Sequence, residues 1–363
     1  MDADQVLAFR LARSGLAARA PGGPAAAVAP PLSDFARVAA LVALAARAEE
    51  VTRAAYDAAV EAGRLALAHA PRGAIHALPP GDDAAFGRAL LARDDAELGA
   101  QMGRQVQRVC AEHGIAAGEA LGEAADAVRD ALADGAALDR DGLHAALRAR
   151  VRPELMPWCR GCGSNHVMPM LWRYATVSAA ARLDAARRYR LGRPGRTPSA
   201  RGAVRRFLGW YGPSTPAAFG EWAGLARPHA RRLWDEVAGD LAEVEVGRAR
   251  GWLLRDDLDP LGSAPAPEGV RLLPPGDPFL QPANRALLVP DAEVRTALFR
   301  PVASPGAVLS RGRLVGLWRM RLQGGRAQVA VERLGRLPAR EVAAEARRVA
   351  AVRGAARAEV DVS

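Results

Sequence analysis

The run from Pro198 to Asp257 limits the fold most, because its punctuation admits one order of elements: three helices and then a two-stranded ribbon. Val204, Phe207, Leu208 and Tyr211 recur at helical spacing and predict a helix from about Ala200 to Tyr211. Gly212-Pro213 stops it, since glycine takes the left-handed exit conformation and proline cannot continue a helix. Thr215-Pro216 supplies a hydroxyl cap and a proline pre-set for the first helical position, and a short helix through Phe219 and Trp222 ends at Gly224. A third helix, Arg227 to about Val237, buries Ala230, Leu233, Trp234 and Val237. Two short helices joined by a tight glycine turn, the second rich in arginine, make a helix-turn-helix. Leu241 to Val246 alternates apolar and charged residues, and Gly251 to Leu254 returns after Gly247 to Arg250, as a wing would. The pattern is a winged helix.

Two weaker copies precede it. Helices predicted up to Arg47 and from Thr52 to about Gly63 lead into two strands around Pro71-Arg72-Gly73. Helices follow over Asp82 to Gly103, with a break near Asp94, and over Gln101 to His113. Glu119 to Leu132 and a helix capped by an aspartate near Leu138 then precede a turn at Trp158 to Val167. Beyond the Gly262 to Gly269 linker, short alternating segments, Leu287 to Val289 among them, predict an antiparallel barrel-like sheet closed by a helix over Leu337 to Gly354. The expected fold class is α+β, with tandem winged-helix domains followed by a small C-terminal antiparallel β-barrel-like domain. The expected domains are 1–115, 116–197, 198–260 and 268–363, the first carrying a helical extension.

The charge balance adds a partner class. The net charge is +10 and all fifty basic residues are arginine; such a surplus favours an anionic partner, and arginine grips phosphate with a bidentate fork. The Ala-, Gly-, Pro- and Arg-heavy composition also suggests GC-rich coding, which supplies arginine in place of lysine without any binding role. Together with the helix-turn-helix, the balance points to double-stranded DNA. Cys110, Cys159 and Cys162 are too few for a disulfide framework. With no signal-peptide core and no apolar run of about 20 residues, the expectation is a cytoplasmic monomer with no membrane partner.

Candidate chemistry is sparse. Arg227, His229, Arg231 and Arg232 are expected on the solvent face of the third helix, available to a groove or to phosphates, and Arg248 and Arg250 at the wing tip. The alternative for each is an ordinary charged surface, because winged helices also serve as protein-interaction modules. Arg72 and His76 flank the first hairpin's turn; the histidine faces either nucleic acid or, as a satisfied buried side chain, the core. Cys159-Arg-Gly-Cys162 with His166 has the spacing of a zinc half-site, but no second cysteine pair completes it. A glycine-rich hairpin whose cysteines pack as small apolar residues explains the same letters. The expectation is no metal and no cofactor. No nucleophile elbow, phosphate loop or paired-histidine motif is present.

Several phrases together resemble one bacterial family. Leu121 to Leu147 with Trp158 to Val167, Trp210 to Leu225, Leu272 to Phe279, Gly316-Leu-Trp318 and the Arg72-Gly73-x-x-His76 element are similar to the winged-helix proteins that include AlkZ/YcaQ-type DNA glycosylases. That resemblance spans nearly the whole chain. It implies tandem winged helices and a C-terminal barrel forming a basic cleft for duplex DNA, with alkylated or crosslinked bases as substrates. It also implies a catalytic Gln-apolar-Gln or Gln-apolar-Asp triplet just before a helix of the first domain, whose polar groups place a water against the glycosidic carbon. The matching stretch is Leu32 to Arg37, where Ser33 stands in place of glutamine and Asp34 keeps an acid. Gln105-Val-Gln107 has the letters but falls in a predicted helix. Asp34 is either a water-orienting group or a helix cap. Three readings follow: a DNA-binding repair protein with reduced, altered or lost base excision; an active monofunctional glycosylase using Asp34; and a winged-helix regulator or interaction scaffold.

Overall fold

The computed structural model describes residues 1–27, 30–34, 38–192, 198–247, 249–300 and 303–363. In it the three helices of the opening stretch run Ala200–Tyr211, Pro216–Ala223 and Arg227–Asp235, and the strands Leu241–Val246 and Ala249–Leu254 pair antiparallel. The Thr215 hydroxyl accepts the amide of Ala218 at 3.2 Å, so the cap read from the sequence is made.

The chain divides into two units, each assembled from separate pieces. One unit comprises Met1–Ala59, Arg205–Ala218 and Gly239–Ser363; the other comprises Val60–Val204 and Phe219–Ala238. Residues of the three-helix stretch therefore belong to both.

The first unit is built on five strands in the order Val270–Leu273, Gly306–Ser310, Arg313–Gln323, Arg326–Arg333 and Arg357–Val362. The first four are antiparallel neighbours, whereas the last runs parallel to Arg326–Arg333. Among the described residues this sheet is open, which corrects the barrel expectation. A parallel pair needs a crossover, and the helix Ala339–Val352 supplies it, packing Val342, Ala346, Val349 and Ala350 on Val329 and Val331. With that helix covering one face, the sheet has no need to close on itself. A second correction concerns Leu287 to Val289, which is not a strand. Pro282 at the first helical position starts the helix Pro282–Leu288, and Asp291 caps the next, Ala292–Leu298, by accepting the amide of Val294. At the N-terminus the cap of Ala3–Arg13 is Asp2, in a reciprocal box with Gln5.

Two buried arginines hold this unit. Arg47, with no exposed surface, meets both oxygens of Asp277 at 2.8 and 2.9 Å and donates to the carbonyls of Ser14 and Ala43. Arg10 donates to the carbonyls of Gly212, Pro213 and Ala283 and to Asn284. Gly306 faces Trp318 so closely that a Cβ would stand 2.2 Å from the indole nitrogen, which donates to the Leu273 carbonyl at 2.8 Å.

In the second unit, Ala66–His69 pairs with Ile75–Leu78 around Pro71–Gly73, and Leu67 pairs with Leu183 of the strand Ala181–Leu183. The helices Ala117–Ala131 and Pro169–Ser178 pack closely, because Ala120, Ala124 and Ala125 present almost no side chain between them.

Candidate functional site

Asp34 lies in the first unit, directly after the strand Leu32–Ser33, and is 1% exposed. Its carboxylate accepts the hydroxyl of Tyr56 at 3.0 Å and the backbone amide of Ala40 at 3.3 Å. Ala40 sits in the first turn of the helix Ala39–Ala45, whose own cap position is held by Val38, a residue with no capping oxygen. Asp34 thus satisfies an orphan amide of that turn from outside the helix. Tyr56 is itself buried, with the Arg53 guanidinium 5.7 Å from its ring centre. Ser33 is half-buried; residues 35–37 of the same stretch lie outside the described residues. Tyr56 was invisible to sequence reasoning, being 22 positions away on the face of another helix.

The helix Arg227–Asp235 belongs to the second unit. Arg227, Arg231 and Arg232 are exposed, but His229 is buried, which corrects its expected solvent-facing placement. The stretch Ala230, Leu233 and Trp234 turns its face inward, and His229, one position before Ala230, follows it. Burial lowers the His229 pKa. Arg231 reaches Asp235 one turn along at 2.9 Å, and Arg232 forms a two-pronged pair with Glu97, which holds that carboxyl below its usual range. A cavity of about 970 Å³ opens beside this pair, bordered by Arg88, Arg93, His229 and Glu236. Arg88 and Arg93 were not singled out by sequence, because they sit in an irregular connection with no periodic face.

Arg72 is exposed and adopts a left-handed conformation, φ 61°. Its side chain crosses Gly224, the turn that opens Arg227–Asp235: a Cβ there would stand 2.7 Å from Arg72 Cγ, and Gly224 itself has φ +72°. The Arg72-Gly73 turn and the turn at Gly224, 152 positions apart in number, are in van der Waals contact. His76 is buried, its ring bonded to the carbonyl of Ala74, and burial lowers it to about 4. His69 is also lowered to about 4 by burial; its two nitrogens meet the Gly73 carbonyl and the Tyr189 hydroxyl. Arg250 is exposed at the ribbon in the first unit, 3.4 Å from Glu243, and Arg248 lies outside the described residues.

Cys159, Cys162 and His166 converge, with one ligand atom from each lying within 4.8 Å of the others. The neighbouring His166, then the backbone and thiol of Cys162, lower the Cys159 thiol to about 7. Gln105 and Gln107 lie on the helix Arg104–His113, where the one-residue gap turns them to different faces.

A model of DNA glycosylase AlkZ-like proteins matches residues 33–352. The chain belongs to the AlkZ-like DNA glycosylase family. One curated relative, an interstrand DNA cross-link repair glycosylase of Streptomyces sahachiroi, is 29% identical over 165 residues, which is 44% of this chain and 44% of that relative. The match thus spans less than half the length of that protein. The solved structure of Streptomyces sahachiroi DNA glycosylase AlkZ superposes with a TM-score of 0.78 over 100% of both chains at 23% identity, so the AlkZ fold is kept where most letters have changed.

Within the family fold, the sequence phrases acquire physical roles. Leu272 to Phe279 contains Asp277, the counter-ion of buried Arg47 and the acceptor of the Phe279 amide. Gly316-Leu-Trp318 places the indole that donates to Leu273. Neither role is visible in the sequence phrase itself, because the partners are remote in sequence. Among the described residues, no helix is long and apolar enough to cross a membrane.

Proposed function

We propose that the protein acts as a monomer on double-stranded DNA, at alkylated or crosslinked bases, and that Asp34 holds the fold instead of a catalytic water. Family membership supports the DNA substrate. The observation that carries the second half is the closure of Asp34: the carboxylate is 1% exposed and engaged by Tyr56 and Ala40, and Ser33 beside it carries no amide group. A general base must reach the proton it takes, directly or through one water, and a carboxylate shut off from solvent does not. Damaged nucleotides would still be bound, since their extrusion from the stack costs least.

In the second unit, DNA contact is assigned to Arg227, Arg231 and Arg232 with Arg72 at the neighbouring turn; in the first unit, Arg250 on the ribbon is assigned a phosphate contact of its own. His229 and His76 are buried supports within the second unit; Arg248 lies outside the described residues, and its phosphate contact is proposed from the sequence alone. Ser33 and Asp34 mark the place of the family motif.

Two measurements on one set of duplexes (undamaged, alkylated and crosslinked) test this reading. The expected result is binding that weakens steeply with salt, together with no base release that depends on Asp34. Base release that is abolished by Asp34→Asn in a protein with unchanged circular dichroism would establish the active glycosylase instead. Absence of binding to every duplex at low salt would leave the interaction-scaffold reading.

A further inference from the structure

We propose that Cys159, Cys162 and His166, with His144 as the fourth donor, form a structural zinc site. The proposal stands apart from any reading of the DNA chemistry, because it concerns how one corner of the second unit is held together.

Four observations converge there. The first is the turn. Trp158–Cys159 and Ser164–Asn165 are strands of two residues each, with Cys159 opposite Ser164. The amides of Cys162 and Gly163 both fold back onto the Cys159 carbonyl, at 3.3 and 2.9 Å, which brings the two thiols onto one side of a tight loop. So short a ribbon is marginal in water, and this one leaves Trp158 62% exposed, without a core of its own. Metal ligation is one way such a piece is stabilised.

The second is the state of His166. Its Nδ1 lies 2.8 Å from the carbonyl of Val167, which can only accept, so Nδ1 carries the proton and Nε2 keeps the lone pair. Nε2 is buried and has no hydrogen-bond partner. A histidine whose outer nitrogen donates to a carbonyl while the other faces thiols is oriented as metal-ligating histidines are.

The third is His144, on the helix Arg140–Arg148. Its Nδ1 is likewise buried and without a partner. A buried nitrogen without a hydrogen bond is destabilising, and a shared cation would satisfy the lone pairs of both rings. The two rings stand 5.4 Å apart, centre to centre. Imidazoles sharing a tetrahedral zinc through bonds of about 2.0–2.1 Å have centres about 5.3 Å apart. Trp172, edge-on to His144 at 4.8 Å, holds that ring from the other side.

The fourth is charge. Two thiolates and two neutral imidazoles balance a divalent ion, and binding would displace one proton from each thiol. Cys159 and Cys162 are free thiols, and the donor set is that of Cys2His2 structural zinc.

The full-length protein, purified under reducing conditions without chelator and reconstituted with zinc chloride, is expected to retain about one zinc per chain after gel filtration. The Cys162→Ser and His166→Ala variants should each retain less than about a tenth of that. Cobalt substitution should give the intense visible bands of four-coordinate, thiolate-bound cobalt, and His144→Ala should weaken them. Should a cysteine variant fail to fold, the wild type carries the test: zinc should shield Cys159 and Cys162 from alkylation, and chelator should expose both. No retained metal after reconstitution, or thiols equally reactive with and without zinc, would each overturn the site. An unchanged cobalt spectrum in His144→Ala would overturn the four-ligand arrangement.

Discussion

Arg47 is a charge carried into the core at position 47 and neutralised at position 277. With no surface exposed on either side chain, the pair works only because both carboxylate oxygens and two carbonyls use the guanidinium's donors. Asp277→Ala would leave a buried cation unpaired and should destabilise the protein by about 3–5 kcal/mol, read as a lowered urea midpoint for the unit that contains it. Gly306→Ala drives a methyl into the Trp318 indole, and overpacking of this kind costs about 1–3 kcal/mol; thermal unfolding should register it. The histidines give a pH signature. His69 and His76 are lowered from 6.5 to about 4, so the unfolded chain binds more protons than the folded one between those values. Stability should therefore be intact above pH 6.5 and fall as pH drops toward 4. A His69→Gln variant should show a shallower fall in the same window when chemical denaturation is repeated across pH.

Elements carry the binding argument. The helix Arg227–Asp235 offers three exposed arginines, yet Arg231 and Arg232 are each spoken for, by Asp235 and Glu97. Such exposed pairs are worth little in stability, but each carboxylate competes with phosphate for the same fork. Arg231→Ala should weaken binding across all duplex sequences and reduce the salt slope by about 1. Glu97→Gln should do the reverse for Arg232, raising affinity and the slope, with a change in unfolding free energy of no more than about 1 kcal/mol. Fluorescence anisotropy across a salt series reads both. An Arg231→Ala variant with the wild-type slope would remove this helix from the interface.

At the scale of the whole molecule, a net charge of +10 on 363 residues gives every duplex an attractive field. Affinity for undamaged DNA should fall at least tenfold between 50 and 200 mM salt if even a few phosphates are neutralised, on the order of the slope expected for B-DNA. The same experiment in alkylated duplex should keep the slope and shift only the intercept, because a lesion changes the base and leaves the phosphates alone.

How much was legible follows from which interactions are local. The helices of 200–235 and the hairpins at 66–78 and 241–254 were readable, because caps, glycine stops and apolar periods act within a few residues. The helix over Pro282–Leu288 and the final parallel strand were not, because short apolar runs look alike until packing chooses between them. At the site, the letters marked Asp34 and left it between water-orienter and cap; Tyr56 and the amide of Ala40 close it off. They marked three surface arginines and misplaced His229, since one turn of a short helix cannot say where its buried edge ends. By itself, then, the sequence determined the local elements, the arginine surplus and the family phrases, all of which depend on neighbours along the chain. Only the tertiary structure decided that the C-terminal sheet stays open among the described residues, that Arg47 finds Asp277, and that the His144 ring comes to stand beside His166, because those outcomes depend on burial and on partners remote in sequence.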